Sequence, residues 1–310
     1  MRATRRGLIT MAAVLGVLSL SACGGGGGGP LDSGPAAGPA APGDTIKIGS
    51  ANFSESTLLA TIYAQALQAK GVKVDQTPPL GSRETYIPAL KDGSIDLIPE
   101  YSGTLLQYVD KNAAQTAPDE VYAALQKAVP APLAVLDKSA AEDKDAVVVR
   151  KEVAQRYSAA SIADLAPHCG ELAFGGPPEF QTRPDGIPGI QQRYNCAFKS
   201  YTSLDAGGPL TLRALKDDQV QAADVFTTDP AIEENGYVAL ADPKNNFAAQ
   251  NVLPLINSAK ANDQVKQVLN AVSAKLTTEA LIDLNRKLAA PDKPNPSTVA
   301  KDWLAQNGLA

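Results

Sequence analysis

Short apolar strands alternate with amphipathic helical stretches along most of the chain. Alternating apolar and polar positions at 45–49 predict a first strand, and apolar residues at helical spacing predict a helix that ends at Ala69, before Gly71. Strand patterns at 72–74 and 95–98 follow, with a short helical stretch between them. This order of strands and helices is typical of a sheet whose strands run mainly parallel. The pattern therefore predicts an α/β fold in which mainly parallel sheets are flanked by helices.

One stretch of the chain, at 89–104, has a second copy at 214–229. Both copies begin with Ala-Leu-Lys-Asp, turn at a polar pair, continue as a short apolar segment and reach an aromatic residue followed by small hydroxyl residues. In an ungapped alignment Tyr101 lies opposite Phe226. Ligands of open α/β sheets bind at the carboxyl ends of strands. The repeat therefore predicts two similar α/β units that present these two aromatics to one cleft.

The N-terminus has the pattern of an export signal. Three arginines among the first six residues precede a mostly apolar run, which ends in Leu-Ser-Ala-Cys at Cys23. We interpret 1–22 as a signal peptide and Cys23 as a residue that is lipidated after cleavage. An ordinary secretory signal is the alternative, and Arg5-Arg6 leaves twin-arginine export open. Residues 23–43, rich in Gly, Pro and Ala, are interpreted as a flexible tether to an anchored, extracytoplasmic head.

Composition and charge narrow the classes of partner. The chain carries 28 basic and 33 acidic residues, and removal of the signal peptide takes away only basic ones. An acidic balance argues against a nucleic-acid partner. With Cys23 lipidated, Cys169 and Cys196 remain as a pair in an oxidising compartment. A disulfide between them is the expected state, and two buried thiols are the alternative.

Catalytic motifs are absent from the sequence. His168 is the one histidine, so a metal site with two histidines is impossible and a histidine-based triad would depend on this residue alone. No G-x-S-x-G, Walker A or H-E-x-x-H motif occurs. A carboxylate pair of the glycosidase type stays open among 33 acidic residues. We predict that the protein is not an enzyme and has neither a cofactor nor a metal site.

Three side chains have the chemistry of a site for a small zwitterion. Tyr101 and Phe226 can enclose a cationic group through cation–π contacts, each contributing about 0.5 to 2 kcal/mol. A purely structural role is the alternative for both rings. Arg183 lies in a polar loop where its guanidinium can hold a carboxylate bidentately. An ion pair within the chain, to Glu179 or Asp185, is the alternative for this arginine.

With these residues in view, the chain resembles the osmoprotectant-binding proteins of ABC importers. The matching phrases are IKIGSANFSES, LKDGSIDLIPEYSGT, EFQTRPDGIPGI, LDAGGPLTLRALK, VFTTDPAI and AKDWLAQNGL. The resemblance implies a two-lobed type II periplasmic-binding-protein fold, with a ligand cleft between two α/β lobes. It places the first lobe at 44–140 and 228–310 and the second lobe at 141–227.

The resemblance also implies roles for residues of the cleft. Tyr101 and Phe226 match cage aromatics, Arg183 matches the carboxylate clamp, and Asp145 stands where some members have a further cage tyrosine. The complete set of predicted ligand-binding residues is Asn52, Phe53, Tyr101, Thr104, Asp143, Asp145, Arg183 and Phe226.

The predicted function is that of a lipid-anchored, extracytoplasmic substrate-binding protein of an ABC importer. It would capture a quaternary amine such as glycine betaine or choline and deliver it to a membrane permease driven by a cytoplasmic ATPase. We expect a monomer that contacts the membrane only through its lipid. Two alternatives are a bulkier or polyhydroxylated ligand in the same fold and a sensor lipoprotein without a role in transport.

Overall fold

The computed structural model describes residues 45–310, so the predicted signal peptide, lipidation site and tether lie outside the described residues. Two five-stranded sheets organise the described residues, and helices flank both sheets. Within 45–310, no helix is long and apolar enough to cross a membrane.

The strands and helices of residues 45–310 follow the predicted alternation. The strands are β1 (Ile46–Ile48), β2 (Val74–Gln76), β3 (Leu97–Tyr101), β4 (Leu133–Val135), β5 (Asp145–Val149), β6 (Ala173–Gly176), β7 (Ser200–Ser203), β8 (Ala222–Phe226), β9 (Val238–Ala239) and β10 (Val252–Asn257). The α-helices are α1 (Ser54–Ala69), α2 (Arg83–Asp92), α3 (Ser102–Val109), α4 (Pro118–Ala128), α5 (Lys151–Tyr157), α6 (Ile162–Leu165), α7 (Ile187–Tyr194), α8 (Pro209–Lys216), α9 (Ala231–Glu234), α10 (Asp263–Ser273), α11 (Thr278–Ala289) and α12 (Pro296–Gln306).

The two sheets have the same internal plan. The first sheet has the strand order β2-β1-β3-β10-β4 and the second has the order β7-β6-β8-β5-β9. In each sheet the first three strands run parallel, and the fourth is antiparallel to both of its neighbours. The α/β prediction is confirmed. Each sheet is mixed: four strands run in one direction, as expected of a mainly parallel sheet, and one strand, β10 or β5, runs in the opposite direction.

The repeated stretch occupies equivalent places in the two sheets. Helix α2 leads into β3, and helix α8 leads into β8, so each copy supplies the third strand of its sheet. Both turns contain a residue with left-handed backbone, Gly93 at φ 78° and Asp218 at φ 58°. Tyr101 and Phe226 are the last residues of β3 and β8. The two aromatics are therefore equivalent in the fold as well as in the alignment.

The chain crosses between the sheets twice, through segments that lie side by side. The Asp143 N–H donates to the Gln250 carbonyl at 3.1 Å, and Glu142 forms an antiparallel bridge with Asn251. Phe247 packs in the core of the second sheet, whereas Ala248 packs in a core beside the first sheet. The expected return to the first lobe at residue 228 is therefore too early, because β9 still belongs to the second sheet.

A disulfide joins Cys169 to Cys196 in the second lobe, with their Cα atoms 5.3 Å apart. Cys169 lies in a 3₁₀ turn that follows α6, and Cys196 lies just after α7. Both residues are buried in the core of the second sheet. The bond therefore closes a loop of the chain that contains the strand β6 and the helix α7.

Removal of this disulfide should lower the free energy of unfolding. The two cysteines are 27 residues apart, and a loop of that length corresponds to about 3 to 4 kcal/mol of lost chain entropy in the unfolded state. We expect the double variant Cys169→Ala with Cys196→Ala to unfold at clearly lower urea concentration than the wild type. Reduction of the wild type should lower its midpoint similarly, and an unchanged midpoint in both experiments would contradict the expectation.

Candidate functional site

A cleft lies where strand ends of the two sheets face each other. It encloses about 550 Å³ of space, including its opening to solvent. The first sheet contributes the segment after β1 and the end of β3, and the second contributes the start of β5 and the ends of β6 and β8. The structure brings together every residue that the sequence predicts for ligand binding, namely Asn52, Phe53, Tyr101, Thr104, Asp143, Asp145, Arg183 and Phe226.

Three aromatic rings form a connected group in the cleft. Phe53 precedes α1, and its ring centroid lies 5.9 Å from that of Tyr101 and 5.0 Å from that of Phe226. The rings are tilted to one another by 37° and 42°. Tilted rings at these distances present faces and edges to a common space rather than stacking in parallel. The Phe53–Phe226 contact crosses from the first lobe to the second, so this aromatic group spans the cleft.

Tyr101 is held in place by a buried carboxylate. Its hydroxyl donates to Glu55 Oε1 at 2.7 Å, and only 7% of the residue is exposed. Glu55 Oε2 accepts from Thr228 Oγ1 at 2.7 Å and from Asn285 Nδ2. Burial raises the pKa of the Glu55 carboxyl, and these hydrogen bonds partly offset the rise. The ring of Tyr101 therefore has a fixed position at the edge of the cleft.

Asp143 joins the first crossover to the end of β8. Its Oδ1 accepts from the Thr228 hydroxyl at 2.9 Å and from the Thr228 N–H at 3.2 Å. Burial and the neighbouring Glu55 raise the pKa of Asp143 well above its ordinary value. The Asp143 carboxyl is thus occupied by the chain itself.

A buried ion pair supports the first-lobe wall of the cleft. Arg83 donates to both oxygens of Glu100, with Nη2–Oε2 at 2.8 Å and Nε–Oε1 at 3.0 Å. The Tyr86 hydroxyl and the Tyr101 N–H also donate to this carboxylate, each at 2.8 Å. A buried pair with all its hydrogen bonds made costs less than one left incomplete. Arg83 is consequently engaged by Glu100, although it lines the cleft.

Arg183 is the arginine with donors to spare. It follows the 3₁₀ turn Pro178–Gln181, and its hydrogen bond within the described residues is a long one, from Nη2 to Glu179 Oε1 at 3.5 Å. The ion pair that sequence left open therefore exists, but it engages only one of the five N–H donors of a guanidinium. The side chain is 17% exposed and lines the cleft. Arg183 can therefore hold a carboxylate of a bound molecule.

Two carboxyls of the second sheet lie next to each other in the cleft. Asp145 pairs with Phe226 and Val147 pairs with Asp224, which puts Asp145 and Asp224 diagonally on one face of the sheet. Burial and the nearby negative charge of Asp185 raise the pKa of Asp145 to about 6. Burial and Asp145 raise the pKa of Asp224 well above its ordinary value. The pair resembles two acids that share one proton near neutral pH.

Thr104 connects the two lobes on the other side of the cleft. Gln250 Oε1 accepts from the N–H groups of Gly103 and Thr104 at 3.0 Å, which satisfies the start of α3. The Thr104 hydroxyl accepts from Gln250 Nε2 and reaches Asp185 Oδ2 at 3.4 Å. Thr104 thus contacts the second lobe across the cleft opening.

Sequence reasoning missed four residues that shape this site: Glu55, Arg83, Asp224 and Gln250. A charged residue inside the otherwise apolar strand Ala222–Phe226 is a signal that could have pointed to Asp224. No comparable signal marks the other three, because their roles depend on partners far away in the chain.

Comparison with known proteins identifies one family. The chain matches the family model described as the substrate-binding domain of ABC-type glycine betaine transport systems, over residues 44–306. A glycine betaine-binding protein of Escherichia coli, YehZ, is 27% identical over 85% of this chain and 90% of its own length. The ergothioneine transport permease/ergothioneine binding protein EgtU of Helicobacter pylori is 28% identical over 83% of this chain. This chain spans only 46% of the length of that second relative.

A solved structure supports the fold. The crystal structure of a glycine betaine/carnitine/choline ABC transporter superposes with a TM-score of 0.68 at 23% sequence identity, and the match covers 85% of this chain and 99% of the other. The expected two-lobed type II periplasmic-binding-protein fold is thereby confirmed.

The acid pair predicts a stability that falls as the pH rises. A carboxyl whose pKa is raised on folding stabilises the folded state fully below its ordinary pKa of 3.8, and this stabilisation is lost as the pH rises through about 6. We therefore expect the free energy of unfolding of the unliganded protein to decrease from about pH 4 to about pH 7, with at most about 3 kcal/mol from Asp145. Urea unfolding at a series of pH values measures the decrease.

The variant Asp145→Asn should flatten this pH dependence, while Asp217→Asn, at an exposed position after α8, should leave it unchanged. A residual decrease should persist in Asp145→Asn, because burial also raises the pKa of Asp229 to about 6. A pH dependence that is identical in Asp145→Asn and wild type would contradict the expectation.

Proposed function

This chain belongs to the family of substrate-binding domains of ABC-type glycine betaine transport systems, and we propose that it captures a trimethylammonium zwitterion between its two lobes for delivery to a membrane permease. The observation that carries the proposal is the group of three aromatic rings that lines the same cleft as Arg183. The description of this family is that of a substrate-binding domain of a transport system, not that of an enzyme.

The aromatic group suits a quaternary ammonium. Such a cation has no N–H donors, so it is recognised by ring faces and by nearby negative charge rather than by hydrogen bonds. Phe53, Tyr101 and Phe226 supply the rings, and the Phe53–Phe226 contact joins rings of opposite lobes. Glu55 polarises Tyr101, because it accepts a hydrogen bond from the Tyr101 hydroxyl. A methylated ammonium between these rings would join the lobes.

The carboxylate end of the zwitterion suits Arg183. Its guanidinium makes one long contact to Glu179, so it can turn donors toward a ligand without leaving a buried partner unsatisfied. Arg83 is the less suitable clamp, since it donates to both oxygens of Glu100. The second lobe would therefore hold the carboxylate while both lobes hold the ammonium, and closure of the lobes would exclude water from both contacts.

A substrate-binding protein of an importer works on the outer side of the cytoplasmic membrane. We propose that Cys23 carries the lipid that anchors it there and that the tether of residues 23–43 lets the head reach its permease. The lipobox pattern at Leu20-Ser21-Ala22-Cys23 supports the anchor. A monomer suffices for this role, because each chain contains both lobes of the cleft.

Truncation of a cage ring should weaken binding of a quaternary amine. Phe226 is the sharper position to test, because Tyr101 is buried and its loss would also remove the donor to Glu55 Oε1. We expect Phe226→Ala to weaken glycine betaine binding about tenfold, as is typical of the loss of one desolvated cation–π contact. Isothermal titration calorimetry measures the change.

Phe198→Ala is the matched control, since Phe198 is half-buried in the core of the second lobe but does not line the cleft. It should lower the melting temperature without changing the Kd for glycine betaine. Equal affinities in Phe226→Ala and wild type would remove the cage from the proposal. The absence of binding by glycine betaine, choline, carnitine and ergothioneine alike would overturn the proposed ligand class.

The clamp should discriminate between ligands with and without a carboxylate. Arg183→Lys keeps the positive charge but loses the planar pair of donors. We expect it to weaken glycine betaine binding about tenfold or more, while the affinity for choline, which has no carboxylate, stays the same. Competition titrations with both ligands measure the ratio. The exposed Arg213→Lys serves as the control, and equal losses for both ligands in Arg183→Lys would contradict the clamp.

A further inference from the structure

Asp224 presents a buried carboxyl to the cleft that has no donor of its own. The residue is 1% exposed, and among the described residues neither Oδ1 nor Oδ2 has a hydrogen-bond partner. The neighbouring Asp145 can bond to it only while one of the two carboxyls holds a proton. A buried carboxyl without donors is costly, so it needs an explanation in the function of the site.

Two other buried carboxyls of the site contrast with Asp224. Glu100 accepts from Arg83 and Tyr86, and Glu55 accepts from Tyr101 and Thr228. The protein thus satisfies the acids that support its walls. Asp224 is left unsatisfied where it lines the cleft.

A simple zwitterion does not supply a partner for every charged residue that lines the cleft. The charged lining residues are Arg83, Arg183, Asp143, Asp145, Glu179 and Asp224. Glu100 neutralises Arg83, and Arg183 would be taken by the carboxylate of the ligand. Glycine betaine brings no N–H donor, so it would leave the carboxyl oxygens of Asp145 and Asp224 without a hydrogen-bond partner from the ligand.

A metal ion is not the partner that this geometry favours. Among residues 45–310, no group of three or more His, Cys, Asp and Glu side chains is arranged to hold a metal. Asp145 and Asp224 instead lie diagonally on one sheet face, two residues out of register across neighbouring strands. Two acceptors in that arrangement fit a pair of N–H donors on one organic group.

We infer that the ligand carries, in addition to its trimethylammonium and carboxylate groups, a side arm with N–H donors that hydrogen-bond to Asp224 and Asp145. The inference rests on the proposed function and narrows its ligand class to betaines of amino acids with an imidazole-type or guanidine-type side chain. Phe226, in register with Asp145 at the end of β8, is the ring of the aromatic group that adjoins these two carboxyls. The head group and the side arm therefore have adjoining places on the second sheet.

Calorimetry with matched probes tests the inference on the wild-type protein. The probes are glycine betaine, the trimethyl betaine of histidine, ergothioneine, and the same histidine betaine with its ring nitrogen methylated so that no N–H remains. We expect the two compounds with ring N–H groups to bind at least about tenfold more tightly than glycine betaine and than the ring-methylated probe. This comparison needs no variant, so a folding defect cannot obscure it.

The variant Asp224→Asn adds an independent arm, with the exposed Asp217→Asn as its control. It should reduce the affinity for histidine betaine or ergothioneine at least about tenfold more than it changes the affinity for glycine betaine. If glycine betaine binds as tightly as the N–H probes, or if Asp224→Asn weakens all ligands equally, the inference is overturned while the proposed function stands. If no trimethylammonium compound binds the wild type, the inference and the proposed function both fail.

Discussion

A buried carboxylate at the start of α1 ties together the parts of the molecule that a closed cleft requires. Glu55 accepts hydrogen bonds from Tyr101 at the end of β3, from Thr228 just after β8 and from Asn285 on α11. Thr228 in turn donates to Asp143 on the first crossover. The side chain of Glu55, together with Thr228, therefore links the first sheet, the second sheet and the first crossover between them. Glu55 and Asp143 share the donor Thr228, so loss of that one residue would remove a hydrogen bond from two buried acids.

This coupling also fixes the position of the aromatic rings that line the cleft. Tyr101 cannot move freely, because its hydroxyl is fixed by Glu55, and Phe53 fills the space between Tyr101 and Phe226. Each ring is positioned from a different element, and a ligand need only separate or replace the contact between lobes. Nearby carboxyls would add to the attraction of the ring faces for a cation. Burial and neighbouring negative charge raise the pKa values of Asp143 and Asp145, so this region disfavours a further negative charge. A cation in the cleft would stabilise the charged forms of these carboxyls.

Local patterns in the sequence predict the strands, the helices and the repeat, because apolar periodicity is a property of neighbouring residues. They do not predict the direction of β10 and β5, since an antiparallel and a parallel strand can carry the same residues. The return crossing between Phe247 and Ala248 is likewise invisible, because 240–251 has neither helical nor strand period. Tyr101, Phe226 and Arg183 were identifiable from their chemistry. Asp224 was not identified, because its strand was interpreted only as apolar.

Similarity alone does not choose the ligand, because two relatives of nearly equal identity are named for different compounds, glycine betaine and ergothioneine. Both compounds have a trimethylammonium group and a carboxylate, so an aromatic group and an arginine serve either one. Discrimination must come from side chains that touch what the two compounds do not share. Asp145 and Asp224 are in that position, since they line the cleft and share a sheet face with Phe226. An acceptor pair costs stability when empty and gains selectivity only for a ligand with donors, which is how a site rejects a smaller analogue.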